Sequence, residues 1–421
     1  MASMLQTGHE SMMVERALPS DADARPLAAT ASGADGIDHV LDGNSLRVLE
    51  DGDAIQAALV ALIDGASISL KLCYYIFESD HSGTMIRDRL IAARARGVTV
   101  TLIVDAFGGA SASPGFFDPL VAAGARFSWF GARRSTRYLI RNHQKLAIAD
   151  DERLLMGGFN VGDAYFGGPP EMVWRDLGLL IEGPNVVPMV RWFRQLWRWT
   201  ASRKQSFRQL RGMVRRWRLP PGTAPEAALQ WLIGGPTRRL SPWAQVVKHD
   251  IETGRRIDMI AAYFSPGQGM LRRLRRLARR DGARIILPAK SDNGATIAAS
   301  RLLYGPLLKR GVAIYEYQPC KLHMKLIVID DAVYIGSANF DMRSLFLNLE
   351  LMLRIADAGF ARDVRAMIDR RQAESEAITP AVHAARRGPL TLLKGWISYL
   401  LVGVLDYTVT RRLNFRDPNA D

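Results

Sequence analysis

A short pattern, His-x-Lys-x4-Asp, occurs twice in this chain: His143, Lys145 and Asp150, then His323, Lys325 and Asp330, 180 positions later. Each copy runs on into glycine and asparagine, as Gly157-Gly158-Phe159-Asn160 and Gly336-Ser337-Ala338-Asn339. Histidine occurs only seven times in 421 residues and lysine is scarce beside arginine, so two matched His–Lys pairs are not a product of composition. The flanks repeat as well. Runs with strand character at 68–77, 98–107 and 125–130 surround a helical stretch at 83–96 before the first motif. Runs at 257–264, 284–287 and 312–317, with a helical stretch at 269–280, precede the second. The order strand, helix, strand, helix, strand, motif in both halves predicts two α/β halves with mainly parallel sheets covered by helices.

Side chains two apart on a strand share a face. His143 and Lys145 are therefore expected to project together, as are His323 and Lys325. Asp150 and Asp330, seven positions after their histidines, fall on the other face and are expected to support the site. Such a set suits a phosphate diester, whose phosphorus is shielded by anionic oxygens. Catalysis there needs fixed cations, a nucleophile and an acid for the leaving group. The lysines supply charge. One imidazole attacks phosphorus and forms a covalent phosphohistidine, while the other protonates the leaving alcohol and then serves as base. This chemistry requires no metal or other cofactor, and no cluster with metal-ligand spacing occurs in the sequence. A carboxylate on the second ring nitrogen would orient each histidine, and Asp176 and Glu350 are the candidates. Asn160 and Asn339 are candidate phosphate-binding amides, with turn capping as their plainer role.

The formal net charge of +14 points to an anionic partner, either nucleic acid or anionic lipid. Two segments favour lipid. In 203–218, Phe207, Leu210, Val214 and Trp217 alternate with arginines, as in a helix lying on a membrane surface; a solvated linker helix is the alternative. In 390–407, an apolar run between Lys394 and Asp406 is too short to span a bilayer and is flanked by Arg386, Arg387, Arg411 and Arg412. It suits either an interfacial or a buried packing helix. Residues 1–40 are polar, show no signal peptide and are expected to be disordered. Cys73 and Cys320 are expected to be reduced core thiols. The chain thus divides into 1–40, a first half at 41–202, a basic connector at 203–227, a second half at 228–375 and a C-terminal helical segment at 376–421.

At the two motifs the chain resembles the phospholipase D superfamily, and within it the bacterial cardiolipin synthases, over roughly residues 43–415. The strings that carry the likeness are Tyr74-Tyr75-Ile76-Phe77, Arg141-Asn142-His143-Gln144-Lys145, Tyr165-Phe166-Gly167, Trp174-Arg175-Asp176, Tyr263-Phe264-Ser265-Pro266 and Lys290-Ser291-Asp292. Gly336 through Ser344 and Asn348-Leu349-Glu350 complete them. The resemblance implies a pseudo-twofold fold with one active site between the halves. It also implies transfer of a phosphatidyl group between two phosphatidylglycerols with release of glycerol. Many such synthases begin with two membrane-spanning helices, and none is expected here. The resemblance thus implies a short form held peripherally at the cytoplasmic face of the bacterial inner membrane, with no nucleic-acid partner. Three alternatives stand beside it: a phospholipase D that accepts water, a nucleic-acid phosphodiesterase and a non-catalytic lipid-binding scaffold. Two intact motifs argue against the last.

Overall fold

The computed structural model describes residues 36–131, 140–167, 173–202, 205–218, 227–237, 240–291 and 293–400. The expectations for residues 1–35, for Arg411 and Arg412 and for the apolar run beyond residue 400 lie outside the described residues. Nine strands belong to the first half: β1 (Asp38–Leu41), β2 (Asn44–Leu49), β3 (Ser69–Tyr74), β4 (Thr99–Asp105), β5 (Arg126–Phe130), β6 (Leu146–Ala149), β7 (Arg153–Gly157), β8 (Trp174–Arg175) and β9 (Gly178–Glu182). The second half holds β10 (Leu229–Ile233), β11 (Arg256–Ala261), β12 (Phe264–Ser265), β13 (Gly282–Pro288), β14 (Val312–Tyr317), β15 (Lys321–Leu322), β16 (Lys325–Ile329), β17 (Ala332–Gly336), β18 (Phe340–Asp341), β19 (Leu351–Ala356) and β20 (Ser375–Ala377).

They build two eight-stranded sheets, ordered β1-β2-β9-β7-β6-β3-β4-β5 and β10-β19-β17-β16-β11-β13-β14-β20. Within these sheets only β3, β4 and β5, and correspondingly β11, β13 and β14, run parallel to one another. The other pairings within the sheets are antiparallel, including both neighbours of each motif strand. The sheets are therefore mixed and not mainly parallel as the sequence suggested. Helices such as His81–Ala95, capped by Asp80, carry the chain from one parallel strand to the next. After each motif the chain turns back on itself within a few residues, which only an antiparallel hairpin permits.

Alternation along the motif strands assembles the halves. Leu146 and Ile148 of β6 and Leu326 and Val328 of β16 share one buried core between the sheets. Ala147 and Ala149 face a second core on the outside of the first sheet, and Ile327 and Ile329 a third beside the other. Both cysteines are buried and free. The basic connector contains a helix, Phe207–Arg215, whose Leu210, Met213 and Val214 are buried in the shared core. Trp217 packs edge-on against buried Trp192. Its apolar stripe is thus packed inside the protein, which corrects the reading of that stripe as the face of a helix lying on a membrane surface. The C-terminal helix Pro389–Ser398 is the opposite case. Its Gly395 lies against the helix Gly294–Leu302, while Leu390, Leu393, Trp396 and Ile397 are exposed. Among the described residues no helix is long and apolar enough to cross a membrane.

The motif aspartates serve the frame. Asp150 adopts a positive φ of 53° just past β6 and accepts hydrogen bonds from the backbone N–H groups of Ser67 (2.9 Å), Ile68 (2.8 Å) and Ser69 (2.8 Å). Asp330 (φ 47°) does the same for Arg255 (3.1 Å) and Arg256 (2.9 Å). Each clamps the entry to the neighbouring strand, β3 or β11. Replacing Asp330 with alanine removes these charge-assisted bonds from an exposed turn and should destabilise the fold by about 1–2 kcal/mol. A thermal melt should show this loss, with turnover per folded molecule within about tenfold of wild type; an unchanged melting temperature would contradict the clamp.

Candidate active site

The two histidine segments are crossed by chain from the opposite half. Asn142 bridges Leu349 in parallel, and the His143 backbone N–H donates to the Leu349 carbonyl at 2.9 Å. In the same way β15 pairs in parallel with β8, and the His323 N–H donates to the Arg175 carbonyl at 2.8 Å. The residue after each acceptor is a carboxylate: Glu350 and Asp176. Both are thereby delivered to the other half's imidazole. His143 Nδ1 lies 3.1 Å from Glu350 Oε2 and 3.0 Å from the Ser337 carbonyl oxygen. His323 Nδ1 lies 2.6 Å from Asp176 Oδ2. Carbonyl and carboxylate oxygens accept only, so each Nδ1 carries the proton and each Nε2 carries the lone pair.

Lys145 and Lys325 are buried within the site. Lys145 Nζ donates to the carbonyl oxygen of His143 at 2.7 Å, and Lys325 Nζ makes the matching bond to the carbonyl of His323. Lys145 feels the charge of Lys325, and both feel those of Glu350 and Asp176, so both motifs contribute to one centre. Asp150 and Asp330 do not join it. They lie five residues beyond the lysines, about 16 Å along an extended strand. Both are bonded instead to the backbone entering β3 and β11. Asn160 is committed to the scaffold: it accepts from the Ile76 N–H at 3.1 Å and donates to the Tyr165 hydroxyl at 2.8 Å. That leaves one amide hydrogen for a substrate. Asn339 is buried with an unpartnered amide oxygen, a place where the reversed amide would present donors.

The same residues fall inside a family match. The model described as "Cardiolipin synthase, PLD-like domain" matches residues 59–197 and 248–372. The chain belongs to the cardiolipin synthase, phospholipase D-like family. Cardiolipin synthase A of Pseudomonas entomophila is 32% identical over 339 residues, covering 78% of this chain and 68% of the relative. Cardiolipin synthase 1 of Bacillus cereus is 32% identical over 336 residues, covering 77% and 65%. Among solved structures, the phosphatidylserine synthase of Haemophilus influenzae aligns with a TM-score of 0.67 over 87% of this chain and 93% of that one, at 13% identity, a likeness of fold. The chain is accordingly an enzyme of the phosphatidyltransferase kind.

Within this family member the centre is balanced between burial and charge. Burial lowers both imidazoles, His143 against the pull of Glu350 and His323 against that of Asp176, to about 4, so both are neutral at pH 7. Burial also lowers Lys145 well below the ordinary lysine range and Lys325 to about 8. Burial would raise the Glu350 carboxyl, but the His143 contact, Lys145 and the Ser337 hydroxyl hold it below its ordinary value. Burial thus leaves the centre short of positive charge, and a phosphate anion bound there would raise these groups again.

Several contributors were not singled out from the sequence. Ser337 and Ser344 donate hydroxyl bonds to Glu350 at 2.5 and 2.7 Å. Gly158, at the place equivalent to Ser337, has no room for a side chain: a Cβ there would sit 2.3 Å from Asp176 Oδ1 and 2.9 Å from Lys325 Cδ. Tyr75 stacks edge-on to His143, and Tyr165 and Trp174 do so to His323, at 5.0, 5.5 and 5.1 Å between centroids. Asp105 accepts the Asn142 N–H at 2.6 Å and anchors the first motif. The Gly-Gly and Gly-Ser strings were visible in the sequence; their partners across the fold were not.

Two outcomes follow from this geometry. Glu350→Gln and Asp176→Asn should each lower kcat by about 10²–10⁴ with the fold intact, because the amide no longer fixes the Nδ1–H tautomer; a loss under tenfold in either would contradict the clasp. Sulfate, which does not titrate in this range, should inhibit more strongly as pH falls from 7 to 5, because bound anion raises the depressed histidine pKa values. The gain should approach about tenfold per pH unit for each proton taken up. His323→Gln should flatten the slope, and a pH-independent inhibition constant in the wild type would refute this account.

Proposed function

We propose that this protein forms cardiolipin from two phosphatidylglycerol molecules, through a phosphohistidine on His143 and without a metal. The observation that carries the reading is the crossed pair of Nδ1–carboxylate contacts, which leaves two Nε2 atoms for chemistry beside two buried lysines. The contacts are unequal. Asp176 holds His323 at 2.6 Å, whereas the Glu350 charge is shared with two serine hydroxyls and reaches His143 at 3.1 Å. The tighter carboxylate favours imidazolium at His323, the acid, and leaves His143 the better lone-pair donor.

In the first step a proton taken up with the anionic substrate makes His323 imidazolium; His143 Nε2 then attacks phosphorus, the P–O bond to the headgroup glycerol breaks, and glycerol leaves with the Nε2 proton of His323. In the second, neutral His323 takes the proton from the free hydroxyl of another phosphatidylglycerol. Its oxygen attacks phosphorus, the P–N bond breaks and cardiolipin leaves with both histidines restored. Lys145, Lys325 and the Asn339 amide surround the non-bridging oxygens, and Asn160 offers its remaining amide hydrogen or acts only through Tyr165. The lysines supply the charge that a metal would otherwise bring. The names of the relatives, the net charge of +14 and the exposed apolar face of Pro389–Ser398 support a lipid substrate and a peripheral place at the membrane surface, which we put on the cytoplasmic side. The relatives' names and the apolar helix face, not the charge, favour this over nucleic acid.

Lipid analysis after incubation with phosphatidylglycerol vesicles tests the reading. Cardiolipin and glycerol should appear in equal amounts, and excess EDTA should leave the rate within about twofold. Phosphatidic acid without cardiolipin would make the protein a hydrolase, and loss of activity in EDTA would refute the metal-free route.

A further inference from the structure

A cavity of about 510 Å³ lies between the helix Gly294–Leu302 and the C-terminal helix Pro389–Ser398. None of its lining residues belongs to the histidine centre. Its volume is within the range of small-molecule sites. Ile297, Ala298, Leu302, Ile378, Leu390 and Leu392 make its walls apolar. Arg301, Arg386, Arg387 and Lys394 also line it. Two of these cations are already matched. Arg301 forks onto buried Glu316 with two bonds of 2.8 Å, and Arg386 reaches Glu316 at 3.2 Å and Glu376 at 2.5 Å. Arg387 and Lys394 pair with no carboxylate among the described residues and are exposed. The cavity therefore has an apolar interior and a surplus of positive charge on exposed lining residues.

The helix that forms one wall has a second face. Leu390, Leu393, Trp396, Ile397 and Leu400, spaced at helical intervals, are exposed, and Leu390 is 81% exposed. They are half of the ten exposed large apolar side chains among the described residues. An apolar helix face of this kind suits a membrane interface, and the cavity is walled by the same helix. The opposite wall leads toward the chemistry. Ser300 of Gly294–Leu302 donates its hydroxyl to the Phe264 carbonyl at 2.8 Å, next to Tyr263, whose ring centroid is 6.3 Å from that of His323.

We propose that this cavity is a second lipid site, separate from the catalytic centre. One acyl chain of an anionic membrane glycerophospholipid enters it, and the lipid phosphate rests between Arg387 and Lys394. The helix Pro389–Ser398 then lies in the same surface, and the lipid fastens it to the body of the enzyme. This rests on the phosphatidyltransferase reading only in placing the enzyme at a phospholipid surface. Zwitterionic lipid fits less well because its cationic headgroup would face the same two cations.

The test is equilibrium binding of monomeric myristoyl lysophosphatidylglycerol to the full chain, beside turnover of soluble dihexanoyl phosphatidylglycerol. Saturating sulfate blocks the catalytic phosphate cradle. Wild type should retain one saturable site under sulfate. Arg387→Glu with Lys394→Glu should weaken it at least tenfold, and Ala298→Trp should fill the cavity and remove it. Both variants should turn over the dihexanoyl lipid within about twofold of wild type, which also shows that they fold. Lysophosphatidylcholine should bind at least tenfold more weakly. Equal binding by wild type and both variants, equal affinity for the choline lipid, or displacement by sulfate or inorganic phosphate alone would each overturn the proposal. No saturable binding to the full chain would also overturn it, leaving the cavity to the chain's own residues 401–421. Failure of the wild type to turn over dihexanoyl phosphatidylglycerol would count against the catalytic reading, while the binding result would still decide the cavity.

Discussion

Each histidine is held by a carboxylate that its own half does not provide. Glu350 reaches His143 and Asp176 reaches His323 because backbone pairing at each crossing, Leu349 with Arg141 and His143 and Arg175 with His323, fixes the register. A slip of one residue would turn each carboxylate to the other side of its strand. The shared core between the sheets keeps that register, since Leu146 and Ile148 pack in the same cluster as Leu326 and Val328. Neither half alone holds a histidine in a defined tautomer. The duplication is therefore one site in two parts, and folding of the two halves against each other is a condition of the chemistry.

The same crossing explains why so much polarity is buried at one place. Two imidazoles, two ammonium groups and two carboxylates lie in a region closed to solvent, an arrangement costly unless every member is paired. The protein meets this with hydroxyls from Ser337 and Ser344 on Glu350, the Leu177 N–H on Asp176, and histidine carbonyls for both lysines. What remains is a deficit of positive charge relative to an ordinary lysine–histidine cluster, because burial has lowered both residue types. A bound phosphate diester would raise those groups again by its own negative charge, so the substrate completes the protonation of the centre.

Much of this was legible in the sequence. The two motifs named both histidines and both lysines, and strand parity separated Asp150 and Asp330 from them. The downstream strings also offered Asp176 and Glu350 as partners. What the sequence hid was pairing across the fold. That Glu350 serves His143, and not the nearer His323, depends on a strand crossing with no local signature. The antiparallel majority of each sheet escaped for a related reason: the hairpin strands after each motif are four to six residues of plain apolar sequence, as in Leu326 to Gly336, with turns set by aspartates at positive φ. The middle segment misled because an amphipathic helix has the same periodicity whether its apolar stripe meets lipid or protein, and here Leu210 and Val214 meet protein.

The division of labour between the clasps is tested most directly by rapid mixing with a phosphatidyl ester of p-nitrophenol, a leaving group that needs no acid. Asp176→Asn should still release a burst of nitrophenol, with an acid-labile phosphoryl group accumulating on His143, because only the breakdown step lacks its base. Glu350→Gln should show no burst. A burst retained in Glu350→Gln and lost in Asp176→Asn would reverse the two histidines, and absence of any phosphohistidine in both would contradict the covalent route.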